Sequence, residues 1–149
     1  MTNDGTPKVL DFGIAKLIQD GPDAATFQTR GQLMTVEYAS PEQNRGRAIS
    51  TATDIYSLGV ILFELLSGSL PYNFEGKSYV EIDEIFQGSG TKNPSEYING
   101  SNVPELASRR ATTPEKLKRR LKGDLDSIVS KALRYEASER YSSVEQLSN

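Results

Sequence analysis

The sequence contains neither cysteine nor histidine. The first absence removes disulfides and thiolate chemistry, and it fits a reducing compartment such as the cytoplasm. The second removes imidazole general bases, Ser-His-Asp triads and the usual zinc sites together. Long apolar runs are also missing. The longest, 58–66, is interrupted by Gly59 and Glu64, far short of the roughly 20 residues that span a bilayer. The start, Met1-Thr2-Asn3-Asp4-Gly5, has neither the basic nor the apolar part of a signal peptide. The net charge of −3 makes no electrostatic case for nucleic acid or an anionic membrane. A soluble chain with no membrane segment is expected.

What is present suits one domain. A chain of 149 residues, 36% apolar and 25% charged, is long enough for a real core and is neither collagenous nor wholly disordered. Asp4-Gly5 is a turn dipeptide ahead of the short run Val9-Leu10, which reads as a hairpin whose first strand is only a stub. Residues 14–39 are polar, with Asp20-Gly21-Pro22-Asp23 as a loop marker and threonines at 26, 29 and 35. A loop this long inside a compact domain is usually functional or disordered.

The strongest helix signal is 53–66, with Asp54 as its cap and Gly68 placed for a left-handed C-terminus. Ile55, Leu58, Ile61, Leu62, Leu65 and Leu66 make one apolar stripe, while Val60 and Phe63 fall on other faces. A helix apolar nearly all round is buried, so this one is expected at the centre of the core. A second helix is expected over 78–87, with Ile82, Ile85 and Phe86 inward. Residues 89–108 look loop-like. Thr113-Pro114-Glu115 opens a basic helix running through Lys122. Asp124 caps a further helix with Leu125, Ile128, Val129, Ala132 and Leu133 at helical spacing, and 142–146 forms a capping box.

Three features in order carry the chemistry. Asp11-Phe12-Gly13 follows a short apolar strand, and Ser40-Pro41-Glu42 comes roughly 30 residues later, ahead of a helical region. Between them lies the threonine-bearing loop. Asp-Phe-Gly alone means little, because any tripeptide recurs by chance. The ordered set is specific, with Thr35, Tyr38, Asp54, Tyr56, Ser57, Gly59, Gly68, Pro71 and Arg140 also at matching spacing. It closely resembles the magnesium-binding and activation segment of protein kinases. The stretches 10–16, 39–43 and 123–133 are most similar to bacterial serine/threonine kinases.

That resemblance implies a mainly α fold: a partial kinase C-lobe over 1–149 with a short β-hairpin stub at the N-terminus. The activation segment would be 11–42 and the C-lobe helices 53–149. It implies that Asp11 holds magnesium bridging the ATP phosphates, a hard carboxylate on a hard cation, with Phe12 and Gly13 structural beside it. Thr35 would position the acceptor hydroxyl. Thr26 and Thr29 are candidate phosphorylation sites, or plain loop threonines. Glu42 would make a buried ion pair with Arg140, tying the activation segment to the late helices. Asp54 would hydrogen-bond the backbone of the catalytic loop. A protein substrate or a kinase-like partner follows from the same resemblance. Departures are Met34 where many kinases have glycine, Ser40 for the usual alanine, and Ala137 where proline is frequent.

Phosphoryl transfer also needs the phosphate charge neutralised and the acceptor placed in line. The family uses a glycine-rich loop, a strand lysine, a helix glutamate and a His-Arg-Asp loop, all ahead of Asp-Phe-Gly, and here only ten residues precede it. Nor are these parts displaced: Gly88-Ser89-Gly90 is followed by Asn93 where a third glycine would stand. The chain therefore reads as the later part of a kinase domain, N-lobe and catalytic loop absent, with both ends looking cut, the first explicable by a start assigned to an internal codon, and inactive alone. ATP and magnesium belong to the intact domain, and Asp11 by itself reads as a solvated turn carboxylate. A non-catalytic interaction module or a pseudogene product is the alternative. The basic cluster Arg109, Arg110, Lys116, Lys118, Arg119, Arg120 and Lys122 either docks an acidic partner or is a solvated helix face, and the negative net charge favours the latter. If about 400 Å² of the 53–66 helix is exposed, the cost is about 10 kcal/mol, comparable with a typical stability of about 5–15 kcal/mol. A marginal, aggregation-prone monomer is expected.

Overall fold

A computed structural model describes residues 36–88, 91–98 and 103–148, and among them the regular structure is entirely helical. The hairpin stub expected near Val9-Leu10 lies outside the described residues. The helices are α1 (Pro41–Asn44), α2 (Thr51–Ser67), α3 (Tyr79–Gly88), α4 (Val103–Arg109), α5 (Pro114–Leu121), α6 (Asp124–Ala132) and α7 (Val144–Ser148). Short 3₁₀ turns occupy Val36–Tyr38, Pro94–Tyr97 and Ala137–Glu139.

The central helix α2 starts two residues before its expected start, and Asp54 is not its cap. Ser50 is: its Oγ accepts from the Ala52 N–H at 3.3 Å, and Thr53 Oγ1 accepts from the Ser50 N–H at 3.2 Å. This reciprocal pairing satisfies two donors that the first turn leaves open. Asp54 sits exposed in that turn, where the positive end of the helix dipole favours a carboxylate. Gly68 closes the helix at φ 73°, its N–H on the Glu64 carbonyl at 2.8 Å, a conformation that glycine adopts without a Cβ penalty.

The face that α2 buries matches the expected stripe only in part: Ile55 is fully buried, and Leu62 and Leu66 pack against the core. Tyr56, Val60 and Phe63 are at most 1% exposed, whereas Leu58 and Ile61 are 39% exposed and Leu65 is 66% exposed. Residues 56, 60, 63 and 67 follow one helical track, and 58, 61 and 65 another. Both tracks are apolar, so periodicity alone does not say which one faces inward.

Packing decides it. A Cβ on Gly59 would lie 2.9 Å from Ala132 Cβ and 3.1 Å from Leu133 Cδ2, so the missing side chain lets α2 and α6 cross closely. Around that crossing Tyr56, Val60 and Phe63 pack with Phe74, with Ile82 and Phe86 of α3, and with Val129 and Leu133. Phe74 and Phe86 meet edge to face at 5.2 Å, as do Phe63 and Tyr97 at 5.0 Å. A second cluster, Ile98, Val103, Ala107, Leu117 and Leu121, joins the first through half-buried Leu66.

Residues 89–108 are not simply a loop. Val103 and Ala107 sit one turn apart and are 3% and 1% exposed, which holds α4 on α5. The glycine, asparagine and serine content of the stretch masked that spacing. Thr113 caps α5, its Oγ1 accepting from the Lys116 N–H at 3.4 Å. Gly123 rather than Asp124 precedes α6, at φ 110° and without a side-chain cap bond, so Asp124 is the first helical residue. Among the described residues, no helix is long and apolar enough to cross a membrane.

Candidate functional site

Residues 36–47 are tied down on three sides, each by side chains distant in sequence. The 3₁₀ turn Val36–Tyr38 leans on α2: the Tyr38 hydroxyl donates to Glu64 Oε2 at 2.6 Å, and Ser57 Oγ donates to the Tyr38 carbonyl at 3.0 Å. The hydrogen bond to Glu64, helped by burial, raises the Tyr38 phenol to about 12, so it stays a donor at neutral pH.

Buried Ser40 then opens α1. Its Oγ accepts from the Gln43 N–H at 3.3 Å, and Gln43 Oε1 accepts from the Ser40 N–H at 2.8 Å. The alanine usual at this position supplies no such oxygen.

Glu42 and Arg140 form the second anchor. Nη1 and Nη2 of Arg140 donate to the two Glu42 oxygens at 2.7 and 2.8 Å. Nη1 also reaches the Ala52 carbonyl at 2.9 Å, Nη2 the Tyr135 carbonyl at 2.9 Å, and Nε the Arg134 carbonyl at 2.7 Å. The guanidinium lies 4.9 Å over the Tyr56 ring. Thr53 Oγ1 donates to Glu42 Oε1 at 2.9 Å. Burial pushes the Glu42 carboxyl upward, but hydrogen bonds from Arg140, a backbone N–H and Thr53, together with the Arg140 charge, outweigh it and lower the group to about 2. Such a pair is held because every donor is matched; either half alone would be a buried unpaired charge.

The third anchor joins α1 to α3. Nε and Nη2 of Arg45 grip Asp83 at 2.5 and 2.6 Å, with the Arg45 guanidinium 5.2 Å over the Tyr135 ring. The hydrogen bond from Arg45 holds the Asp83 carboxyl below its ordinary value. Asn44 Nδ2 donates to the Tyr79 carbonyl at 3.4 Å.

Of the residues singled out in the sequence, Glu42 and Arg140 are thus brought together across 98 positions. Asp54 is exposed on α2. Asp11, Phe12, Gly13, Thr26, Thr29 and Thr35 lie outside the described residues. So does the test of magnesium binding: among the described residues no group of three or more acidic, histidine or cysteine side chains converges to hold a metal. The Tyr38–Glu64, Ser57–Tyr38 and Arg45–Asp83 contacts were not foreseen. Their partners are 19 to 38 residues apart, and no local pattern links them. Chemically the arrangement is a rigid seat for a backbone segment.

The model of the protein kinase domain family matches residues 1–149. The chain is 34% identical over 148 residues to the probable serine/threonine-protein kinase PknB of Lactococcus lactis subsp. lactis, covering 99% of this chain and 20% of that protein. It is 33% identical over 140 residues to the serine/threonine-protein kinase PknB of Mycobacterium tuberculosis, covering 94% and 19%. With a probable serine/threonine-protein kinase PknB of Corynebacterium glutamicum the identity is 39% over 98 residues, 66% of this chain and 15% of the relative. The chain spans about a fifth of the length of the first two of these relatives.

Proposed function

The chain belongs to the protein kinase domain family, and on that premise we propose that it supplies the activation segment and helical lobe of a bacterial serine/threonine protein kinase acting on protein substrates. The observation that carries the reading is the Glu42–Arg140 pair, with Arg140 fully enclosed. It fixes the end of the segment that begins at Asp-Phe-Gly onto the helices that follow. In this reading Thr26 and Thr29, between Asp11 and that anchored end in sequence, are the candidate phosphorylation sites.

In this reading Asp11 holds magnesium, whose bound ATP supplies the phosphoryl group and whose charge offsets that of the phosphates. Thr35 orients the acceptor hydroxyl. Tyr38 and Ser57 hold the chain just after Thr35 against α2, so that the acceptor is presented to a stationary surface. The site is cytoplasmic, where ATP is available. Assayed alone, the 149 residues are expected to transfer no phosphate, because they contain no glycine-rich loop and no His-Arg-Asp sequence.

The test is incubation of the full-length product of the locus with magnesium-ATP and a general protein acceptor, followed by phosphoamino-acid analysis. Phosphoserine or phosphothreonine that disappears in Asp11→Asn is the expected result. Incorporation unchanged in Asp11→Asn would refute the assigned role of Asp11. No incorporation by the wild-type product would favour a kinase-like interaction module.

A further inference from the structure

Among the described residues, the basic face of α5 takes no part in the packing. Leu117 and Leu121, one turn apart and 4% and 2% exposed, fix how the helix sits. At 100° per residue, Arg119, Lys116 and Arg120 fall within an arc of about 100° that begins opposite the two leucines and extends round one side of the helix. All three are exposed, as is Lys122 just beyond the helix. None of these four makes an ion pair among the described residues. Their neighbours in the cluster are employed: Arg109 pairs with Glu105 at 2.7 Å, and Arg110 donates to the Leu65 and Leu66 carbonyls at the end of α2. Glu115, the one acid on α5, is turned to the helix start, where a backbone N–H and then Thr113 hold its carboxyl below the ordinary value.

Helix stability does not account for this pattern. Cations in the last turn favour the dipole, but Lys116 lies in the first turn, at the positive end. Lys116 also faces Arg119 and Arg120 at the i+3 and i+4 positions, where like charges repel. A local arrangement that works against its own helix is the kind of inconsistency that marks a functional surface.

We propose that the Lys116–Arg119–Arg120 face docks an acidic segment of a partner protein. The face offers no apolar side chain to enter a bilayer, since both leucines point inward. It carries no aromatic ring on which bases would stack. A few closely spaced cations on a convex helix match a run of Asp and Glu side chains, with Arg able to take each carboxylate through two N–H groups. This docking is independent of phosphoryl transfer, so its failure and that of the kinase reading are separate results.

The probe is a short fluorescein-labelled polyglutamate peptide, its binding to the full chain read by fluorescence polarisation at low and physiological salt. Binding is expected to weaken with salt. Arg119→Glu with Arg120→Glu should lower affinity by about tenfold or more, a loss of about 1.4 kcal/mol or more. Arg119→Gln with Arg120→Gln should lower it less. Parallel titrations use phosphatidylglycerol vesicles and single-stranded oligo-dT. No peptide binding, equal binding by the charge-reversed protein, or a larger effect of the reversal on vesicles or DNA than on peptide would each overturn the proposal.

Discussion

Arg140 places all five of its guanidinium N–H groups on acceptors, two of them on the carboxylate of Glu42, which lies 98 residues earlier. The other three go to main-chain carbonyls of Ala52, Arg134 and Tyr135. One side chain thereby joins α1, the start of α2 and the approach to the last 3₁₀ turn. Its replacement leaves a buried carboxylate and three carbonyls to find other partners. Arg140→Ala should cost about 3–5 kcal/mol of stability, read as a shift in urea midpoint. Arg140→Lys should recover only part of it, because an ammonium cannot make the two-pronged contact.

Acid should act through the same pair. The Glu42 carboxyl is lowered from 4.5 to about 2, so the folded state binds its proton less readily than the unfolded chain. Its contribution is complete above about pH 4.5 and is lost as pH falls toward 2. Circular dichroism between pH 6 and pH 2 should show stability falling in that window. The slope should be reduced in Glu42→Gln, which is less stable at neutral pH.

Gly59 tests the α2–α6 crossing. Alanine there gains helix propensity of up to about 1 kcal/mol but drives a methyl to 2.9 Å from Ala132 Cβ, and overpacking of this kind costs about 1–3 kcal/mol. Gly59→Ala should lower the melting temperature. Ala132→Gly should partly restore it, since removing the facing Cβ reopens the space. Additive losses in the double variant would argue against that contact.

Arg45 and Asp83 should show coupling between α1 and α3. Their side chains are 26% and 23% exposed, so solvent screens the pair and a small but non-zero coupling is expected from a double-mutant cycle. A value indistinguishable from zero would mean that the contact does not hold α1.

The parts of this fold that were legible in the sequence are the ones written locally. Thr113-Pro114, Gly68 and the Ser142–Gln146 box mark helix ends within four residues of the atoms they satisfy, and each is found where its pattern stands. The inward face of α2 was not legible, because Tyr56 and Phe63 compete with Leu58 and Leu65 on hydrophobicity alone. Only contact with Ala132 and Leu133 selects between them. Likewise buried Asp126, which accepts from the backbone and hydroxyl of Ser95 at 3.0 and 2.6 Å, has no signature in its own neighbourhood. The pairing of Glu42 with Arg140 is legible through family resemblance. That of Arg45 with Asp83, which no motif marks, is not.

Arg140 is the central anchor of residues 36–47, and amide hydrogen exchange of the full chain tests that role most directly. In Arg140→Ala, protection should fall across residues 40–47 and at the start of α2, while α5, which Arg140 does not touch, keeps its protection. Unchanged exchange over 40–47 would contradict this, because the Tyr38–Glu64 and Arg45–Asp83 anchors would then suffice to hold the segment without the Glu42–Arg140 pair.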